Sequence, residues 1–155
     1  MPMSSTGLKL PLSLTRLTLR RTHLEWKELS IILQNLSSLE VLKLLYNACC
    51  GPIWDTSELE EWSSGLKYLR LSLLDIEEWN AFGDQFPKLE VLMIGWCRNL
   101  MGIPTEFSEL NELREIQVHR CNRDVEVSAR EIQKEQRETR GDDACRVSGY
   151  DRGWR

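Results

Sequence analysis

The sequence predicts an α/β solenoid of about five repeats, because one spacing of leucine residues recurs along the chain. The units begin at Leu14, Leu39, Leu66, Leu89 and Leu113. Successive starts are separated by 25, 27, 23 and 24 residues. Periods of roughly 20 to 29 residues are typical of leucine-rich repeats, in which each unit contributes one short strand.

Each repeat carries apolar residues at its first, fourth and sixth positions, as in Leu66, Leu69 and Leu71. Because side chains alternate between the two faces of a strand, these leucines point to one side and the residues between them to the other. One unit cannot bury its leucines alone, so neighbouring units must stack. Over residues 8–124 we therefore expect a parallel sheet on the concave side and an irregular or helical convex side.

The two ends of the chain differ from the repeats. We expect residues 1–7 to be a frayed lead. After the fifth unit the leucine period stops, and Ser128 and Glu131 have the spacing of a capping box at the start of a helix. This pattern predicts a C-terminal capping helix over residues 125–140. The remaining residues, 141–155, have scattered charge without periodicity and are expected to be disordered.

The residues between the inward leucines form a candidate protein-binding surface on the concave side. One row of residues comes directly after the strands in the sequence and includes Tyr46, Leu73 and Trp96. Trp, Tyr and Arg dominate binding hot spots, which favours a contact role for this row. The alternative is that these three side chains only pack against one another along the sheet. The candidate surface consists of Arg16, Arg21, Lys43, Tyr46, Tyr68, Arg70, Leu73, Met93, Trp96, Gln117, His119 and Arg120.

Composition and charge argue against several classes of protein. The chain has 155 residues and a formal net charge of -4, with 20 basic and 24 acidic residues interspersed. It has no helix-sized cluster of Lys and Arg, so we expect no nucleic-acid partner. No stretch approaches the roughly 18 apolar residues of a membrane span, and the start of the chain lacks the apolar region of a signal peptide. We therefore expect a cytoplasmic protein without a membrane span.

The five cysteines do not predict a catalytic or metal site. Cys97 and Cys121 occupy the position where this repeat takes Asn or Cys for the turn after the strand. His119 lies two residues before Cys121, but no third group that would orient a nucleophilic pair is apparent. Paired carboxylates, glycine-rich loops and metal-spaced clusters are also absent from the sequence pattern. We therefore expect no enzymatic activity, no cofactor and no bound metal.

Residues other than the leucines are similar to a known family. The segments that carry the similarity are Leu39 to Trp54, Phe86 to Glu90, Cys97 to Pro104 and Ser128 to Gln136. They include S-L-E-V-L-K-L with a following Gly-Pro and Trp, and the closing S-A-R-E-I-Q-K-E-Q. Through them the chain resembles the C-terminal leucine-rich repeats of plant NLR disease-resistance proteins, in the coiled-coil nucleotide-binding class of the late-blight-resistance type.

The resemblance implies a recognition module of a plant intracellular immune receptor that acts in defence. In that family the repeat domain senses a pathogen effector or a guarded host protein, and it restrains the adjoining nucleotide-binding domain. The chain itself carries no G-x-x-x-x-G-K-S/T phosphate loop, so it is not expected to be an ATP-driven switch by itself. The alternatives are an adaptor that recruits substrates to a ubiquitin ligase, an extracellular receptor fragment, and a truncated, non-functional receptor remnant.

Overall fold

A computed structural model describes residues 10–59 and 61–149. The frayed lead expected for residues 1–7 lies outside this part of the chain. Three short 3-10 helices cover Gly83–Gln85, Thr105–Glu109 and Gly141–Asp143. The other elements are, in chain order, β1 (Arg16–Arg20), β2 (Leu24–Glu25), α1 (Trp26–Asn35), β3 (Val41–Leu45), β4 (Cys49–Cys50), β5 (Ile53–Asp55), β6 (Tyr68–Ser72), β7 (Glu78–Asn80), β8 (Val91–Gly95), β9 (Glu115–His119), α2 (Arg123–Arg140) and β10 (Arg146–Gly149).

Six of these strands form one parallel sheet, in the order β1, β3, β6, β8, β9 and β10. The first inward residue of each repeat strand pairs with its counterpart in the next strand, so that Leu17, Leu42, Leu69, Leu92 and Ile116 form one continuous column. Parallel neighbours require a crossover of a dozen or more residues, which the remainder of each unit supplies. The parallel sheet that the leucine spacing predicts is therefore confirmed.

The inward side chains of the sheet form the core of the molecule. Leu42, Leu44, Leu69 and Leu71 have no exposed surface. Complete burial of one leucine is worth about 1.5 to 3 kcal/mol, so the core depends on many such residues acting together. The apolar cluster runs without interruption from the first strand of the sheet to the last.

Aromatic rings and short elements close the convex side of the core. Trp54 stacks on Trp26 with ring centroids 4.9 Å apart, and on Trp79 at 5.2 Å. Phe107 meets Trp79 edge-on at 5.2 Å, which continues the column of rings. Beside these rings lie α1, two short pairs of parallel strands (β2 with β4, β5 with β7) and the 3-10 helices. These elements form an irregular and partly helical layer that covers the core opposite the sheet.

The C-terminal helix α2 begins two residues before its expected start and ends where expected. Its N-cap is Asn122, whose side-chain oxygen accepts hydrogen bonds from the N–H groups of Asp124 (2.8 Å) and Val125 (3.3 Å). The capping box expected at Ser128 is wrong, because that residue lies inside the helix. Its hydroxyl accepts a hydrogen bond from the N–H of Ile103 at 2.9 Å, and so ties the helix to the convex side.

The expectation of disorder over residues 141–155 is wrong for the first part of that segment. β10 pairs in parallel with β9 and extends the sheet by one strand. Before it, the N–H of Cys145 donates a hydrogen bond of 2.8 Å to the side-chain oxygen of the buried Gln136. An uncovered sheet edge offers unpaired backbone groups, and pairing with β10 satisfies them on this side of β9. Residues 150–155 lie outside the described part of the chain.

Substitution of Leu69 by Ala should lower the free energy of unfolding by about 2 to 5 kcal/mol, because it leaves a cavity at a fully buried position in the middle of the sheet. Chemical denaturation followed by circular dichroism measures the change. The matched control is Lys67→Ala, an exposed position just before the same strand, which should change stability by less than about 0.5 kcal/mol. Equal stability of the two variants would contradict the register.

Candidate protein-binding surface

The in-register pairing arranges the outward residues in columns across the sheet. Neighbouring strands lie about 4.8 Å apart, so side chains in one column are direct neighbours. The first column contains Arg16, Val41, Tyr68, Val91 and Glu115, and the second contains Thr18, Lys43, Arg70, Met93 and Gln117. These two columns bring six of the candidate residues together on one face, namely Arg16, Lys43, Tyr68, Arg70, Met93 and Gln117.

Contacts within these columns hold several of the candidate side chains in place. The Tyr68 hydroxyl donates to the Met93 sulfur at 3.7 Å, and the Lys43 ammonium group stands 5.8 Å from the centre of the Tyr68 ring. The Nε of Arg70 donates to the Ser72 hydroxyl at 3.1 Å. The face is therefore a connected layer of polar and aromatic groups, and these four candidates are half-buried in it.

Five further candidates come directly after the strands in a second arrangement, which we call the edge row: Arg21, Tyr46, Leu73, Trp96 and Arg120. All five have left-handed backbone, with φ between 48° and 57°. The backbone remains bonded across the row, since the N–H of Leu73 donates to the carbonyl of Gly95 at 3.0 Å and that of Trp96 to the carbonyl of His119 at 2.8 Å. These bonds continue the ladder beyond the end of each strand.

The left-handed backbone of the edge row costs free energy. A residue with a side chain pays roughly 1 to 2 kcal/mol in this conformation, whereas glycine adopts it freely. The sequence nevertheless places no glycine at any of the five positions. Strained backbone of this kind concentrates at functional sites, so the presence of side chains at all five positions favours a role in contacts.

Tyr46 and Leu73 form an exposed apolar area in the edge row. Their relative exposures are 40% and 37%. The guanidinium groups of Arg20 and Arg21 lie 5.2 Å and 5.3 Å from the centre of the Tyr46 ring. Cation–π contacts at exposed sites are worth about 0.5 to 1 kcal/mol each, enough to orient these arginines around the ring. Exposed aromatic and aliphatic groups rimmed by charge are typical of a contact surface.

Trp96 has a similar environment further along the row. The guanidinium groups of Arg98 and Arg120 lie 5.2 Å and 5.8 Å from the centre of its ring. Arg98 is exposed and was not among the candidates that the sequence predicts. The sequence could have indicated Arg98 as a candidate, because it comes two residues after Trp96, in the turn that follows the strand. Arginines of the chain thus flank the rings of both Tyr46 and Trp96.

His119 is the candidate whose predicted position needs correction. It stands in register with Gly95 on the outward side, but only 3% of its surface is exposed. One of its ring nitrogens lies 3.3 Å from the side-chain oxygen of Gln117, whose amide group in turn donates to Glu115 at 2.9 Å. Alternation along a strand predicts the face on which a residue lies but not how deeply its neighbours cover it. His119 thus supports the face from within and does not present a contact group.

The thiols of Cys97 and Cys121 lie against backbone carbonyls. Cys97 is completely buried, with its sulfur 3.4 Å from the carbonyl oxygen of Gly95, and burial raises its pKa to about 12. The sulfur of Cys121 lies 3.6 Å from the carbonyl oxygens of Ile94 and His119. Because the thiolate is the reactive form, the raised pKa of Cys97 makes it a poor nucleophile.

Residues 10–59 and 61–149 contain neither a metal-binding cluster nor a membrane-spanning helix. No three His, Cys, Asp or Glu side chains in this part of the chain are grouped as a metal site would require. No helix in it has the length and apolar character needed to cross a membrane.

The cost of the left-handed backbone can be measured at Leu73. Leu73→Gly and Leu73→Ala both remove the side chain, but only glycine adopts a φ of 57° without strain. We expect the glycine variant to be more stable than the alanine variant by about 1 kcal/mol in chemical denaturation. The same two substitutions at Tyr68, within strand β6, should give the opposite order. The same order at both positions would contradict the account of the edge row.

Comparison with known proteins identifies relatives of this chain. No family model matches it. It is 36% identical over 130 residues to the putative late blight resistance protein homologs R1B-16 and R1B-23 of Solanum demissum, and 37% identical over 130 residues to the homolog R1B-13 of the same plant. Each of these alignments covers 80% of this chain. The chain spans 10% of the length of R1B-16 and R1B-23 and 11% of that of R1B-13. It is therefore a region related to late blight resistance protein homologs.

Proposed function

We propose that this chain is the leucine-rich-repeat recognition region of a plant intracellular immune receptor of the NLR type. In this role it contacts a pathogen effector or a guarded host protein, and it restrains an adjoining nucleotide-binding domain. It acts in the cytoplasm through protein contacts and without catalysis. The observation that carries the proposal is the relation to late blight resistance protein homologs, combined with a continuous outward face built from successive strands.

The geometry of the sheet supports a contact role. A parallel sheet of this kind presents side chains from every repeat on one extended surface, and solenoids use such surfaces for binding. The outward face combines arginines with the aromatic rings of Tyr46, Tyr68 and Trp96. These are the residue types in which the binding energy of protein interfaces concentrates.

Direct binding to a nucleotide-binding domain tests this proposal. The chain is immobilised and a purified nucleotide-binding domain from a receptor of the late-blight-resistance type is passed over it in a surface-binding assay. We expect saturable binding that the triple variant Tyr46→Ala, Arg70→Glu and Trp96→Ala weakens at least about tenfold, or about 1.4 kcal/mol. The physical reason is that the variant removes two ring contacts and reverses one charge on the proposed face.

A matched control keeps the test specific to the outward face. The control variant carries Phe82→Ala, Met101→Ala and Lys134→Glu, which remove two exposed apolar side chains and reverse one exposed charge away from the sheet. It should bind as the unmodified chain does. Circular dichroism on both variants establishes that they fold. Absence of binding by the unmodified chain, or an equal loss in both variants, would overturn the proposal.

A further inference from the structure

The first three strands of the sheet present a cluster of cations on their outward side. We define the basic patch as Arg16, Arg20, Arg21, Lys43 and Arg70. The three arginines of β1 and its following turn are exposed, and the other two members are half-buried. No outward position within β1, β3 or β6 is occupied by Asp or Glu. The chain as a whole has 24 acidic and 20 basic residues, so the patch is opposite in sign to the net charge.

The charges of the basic patch are not neutralised by carboxylates of the described chain. Ion pairs within residues 10–59 and 61–149 join Lys67 to Glu40, Arg114 to Glu90 and Arg146 to Glu115. None of them includes a member of the patch. The contacts that its members make are to the Tyr46 and Tyr68 rings and to the Ser72 hydroxyl. Because a guanidinium group has five N–H donors, these arginines keep donors available for an outside acceptor.

We propose that the basic patch binds an acidic segment of a protein in extended conformation. This inference rests on the proposed recognition role and names the chemistry of one partner. Carboxylates pair with arginine through charge-assisted hydrogen bonds, often two at once, and these are about twice as strong as neutral ones. The segment supplies the carboxylates that the outward face of β1, β3 and β6 lacks.

The spacing of the patch matches an extended chain. Lys43 and Arg70 are neighbours in register, about 4.8 Å apart, while Arg16 and Arg20 stand at the two ends of β1, about 13 Å apart. In an extended segment, side chains on one side recur about every 6.6 Å. Long arginine and lysine side chains can bridge the difference between the spacing of the patch residues and the roughly 6.6 Å repeat of the segment. Carboxylates at alternate positions of one segment therefore reach several members of the patch at once.

The edge row adds an apolar contact beside the charges. Leu73 is 37% exposed and neighbours Tyr46, whose ring orients Arg20 and Arg21. Arginines that are already oriented lose less conformational entropy when a partner binds, which increases affinity. The preferred segment therefore carries an apolar side chain next to its carboxylates.

The same contacts argue for an acidic protein segment over a nucleic acid. Single-stranded nucleic acids gain much of their affinity by stacking bases on open aromatic faces. Here Arg20 and Arg21 lie over the Tyr46 ring and Lys43 lies over the Tyr68 ring, so cations of the chain occupy the places where bases would stack.

Fluorescence anisotropy with synthetic probes tests the proposal. The probe is a labelled peptide of repeated Glu-Asp-Leu-Glu units, and the reference is the same peptide with Gln and Asn in place of the acids. We expect the acidic peptide to bind at least about tenfold more tightly than the neutral one. Raising the ionic strength from about 0.01 M to about 0.15 M should weaken its binding, because the Debye length falls from about 30 Å to about 8 Å.

Two charge-matched variants locate the binding. Arg16→Gln, Lys43→Gln and Arg70→Gln together should weaken binding of the acidic peptide at least about tenfold. Lys27→Gln, Lys88→Gln and Lys134→Gln remove as much charge from exposed positions off the patch, and together they should change it by less than about twofold. Equal weakening in both variants, equal binding of the neutral peptide, or tighter binding of a single-stranded RNA of matched charge would each overturn the proposal.

The two proposals fail separately in these experiments. If the nucleotide-binding domain binds the outward face but the acidic peptide does not, the result contradicts only the acidic-segment proposal. If the peptide binds the basic patch but the nucleotide-binding domain does not bind the chain, the result supports the acidic-segment proposal and contradicts the receptor role.

Discussion

The in-register pairing of parallel strands is the constraint on which the rest of this structure depends. Leu42, Leu69 and Leu92 must coincide across the sheet because a slip of one residue would turn every inward leucine to the outside. The chain between successive strands of the sheet differs in length, and α1, the short strand pairs and the 3-10 helices take up these differences. The column of stacked Trp26, Trp54 and Trp79 then closes the core opposite the sheet.

The same register that builds the core also builds the candidate surface. When the leucines align inward, Lys43 and Arg70 become neighbours outside, and cations from different strands form one patch. The edge row follows from the turn that each strand makes as it leaves the sheet, where the backbone adopts left-handed geometry. A surface assembled from separate strands in this way can change its chemistry by single substitutions without disturbing the core.

Local periodicity was sufficient to predict the inward leucines, the parallel strands and the columns of outward residues, because each follows from the spacing within one repeat. It was not sufficient where the position or burial of a residue depends on partners that are distant in the sequence. Ser128 has the pattern of a helix cap, yet it bonds with Ile103, 25 positions earlier in the chain. The strand β10 has no leucine period and depends on the open edge of β9 and on the Cys145 bond to Gln136. The depth of His119 likewise depends on neighbouring strands.

Hydrogen–deuterium exchange of the isolated chain, followed by mass spectrometry, tests most directly whether one register organises both faces. β3, β6, β8 and β9 are each paired on both sides, so their amides should be protected together and open as one unit. β1 and β10 have one paired side each in the described chain and should exchange faster. Free exchange of β6 while β3 and β8 stay protected would contradict the account, because the core and the outward columns both require an unbroken ladder.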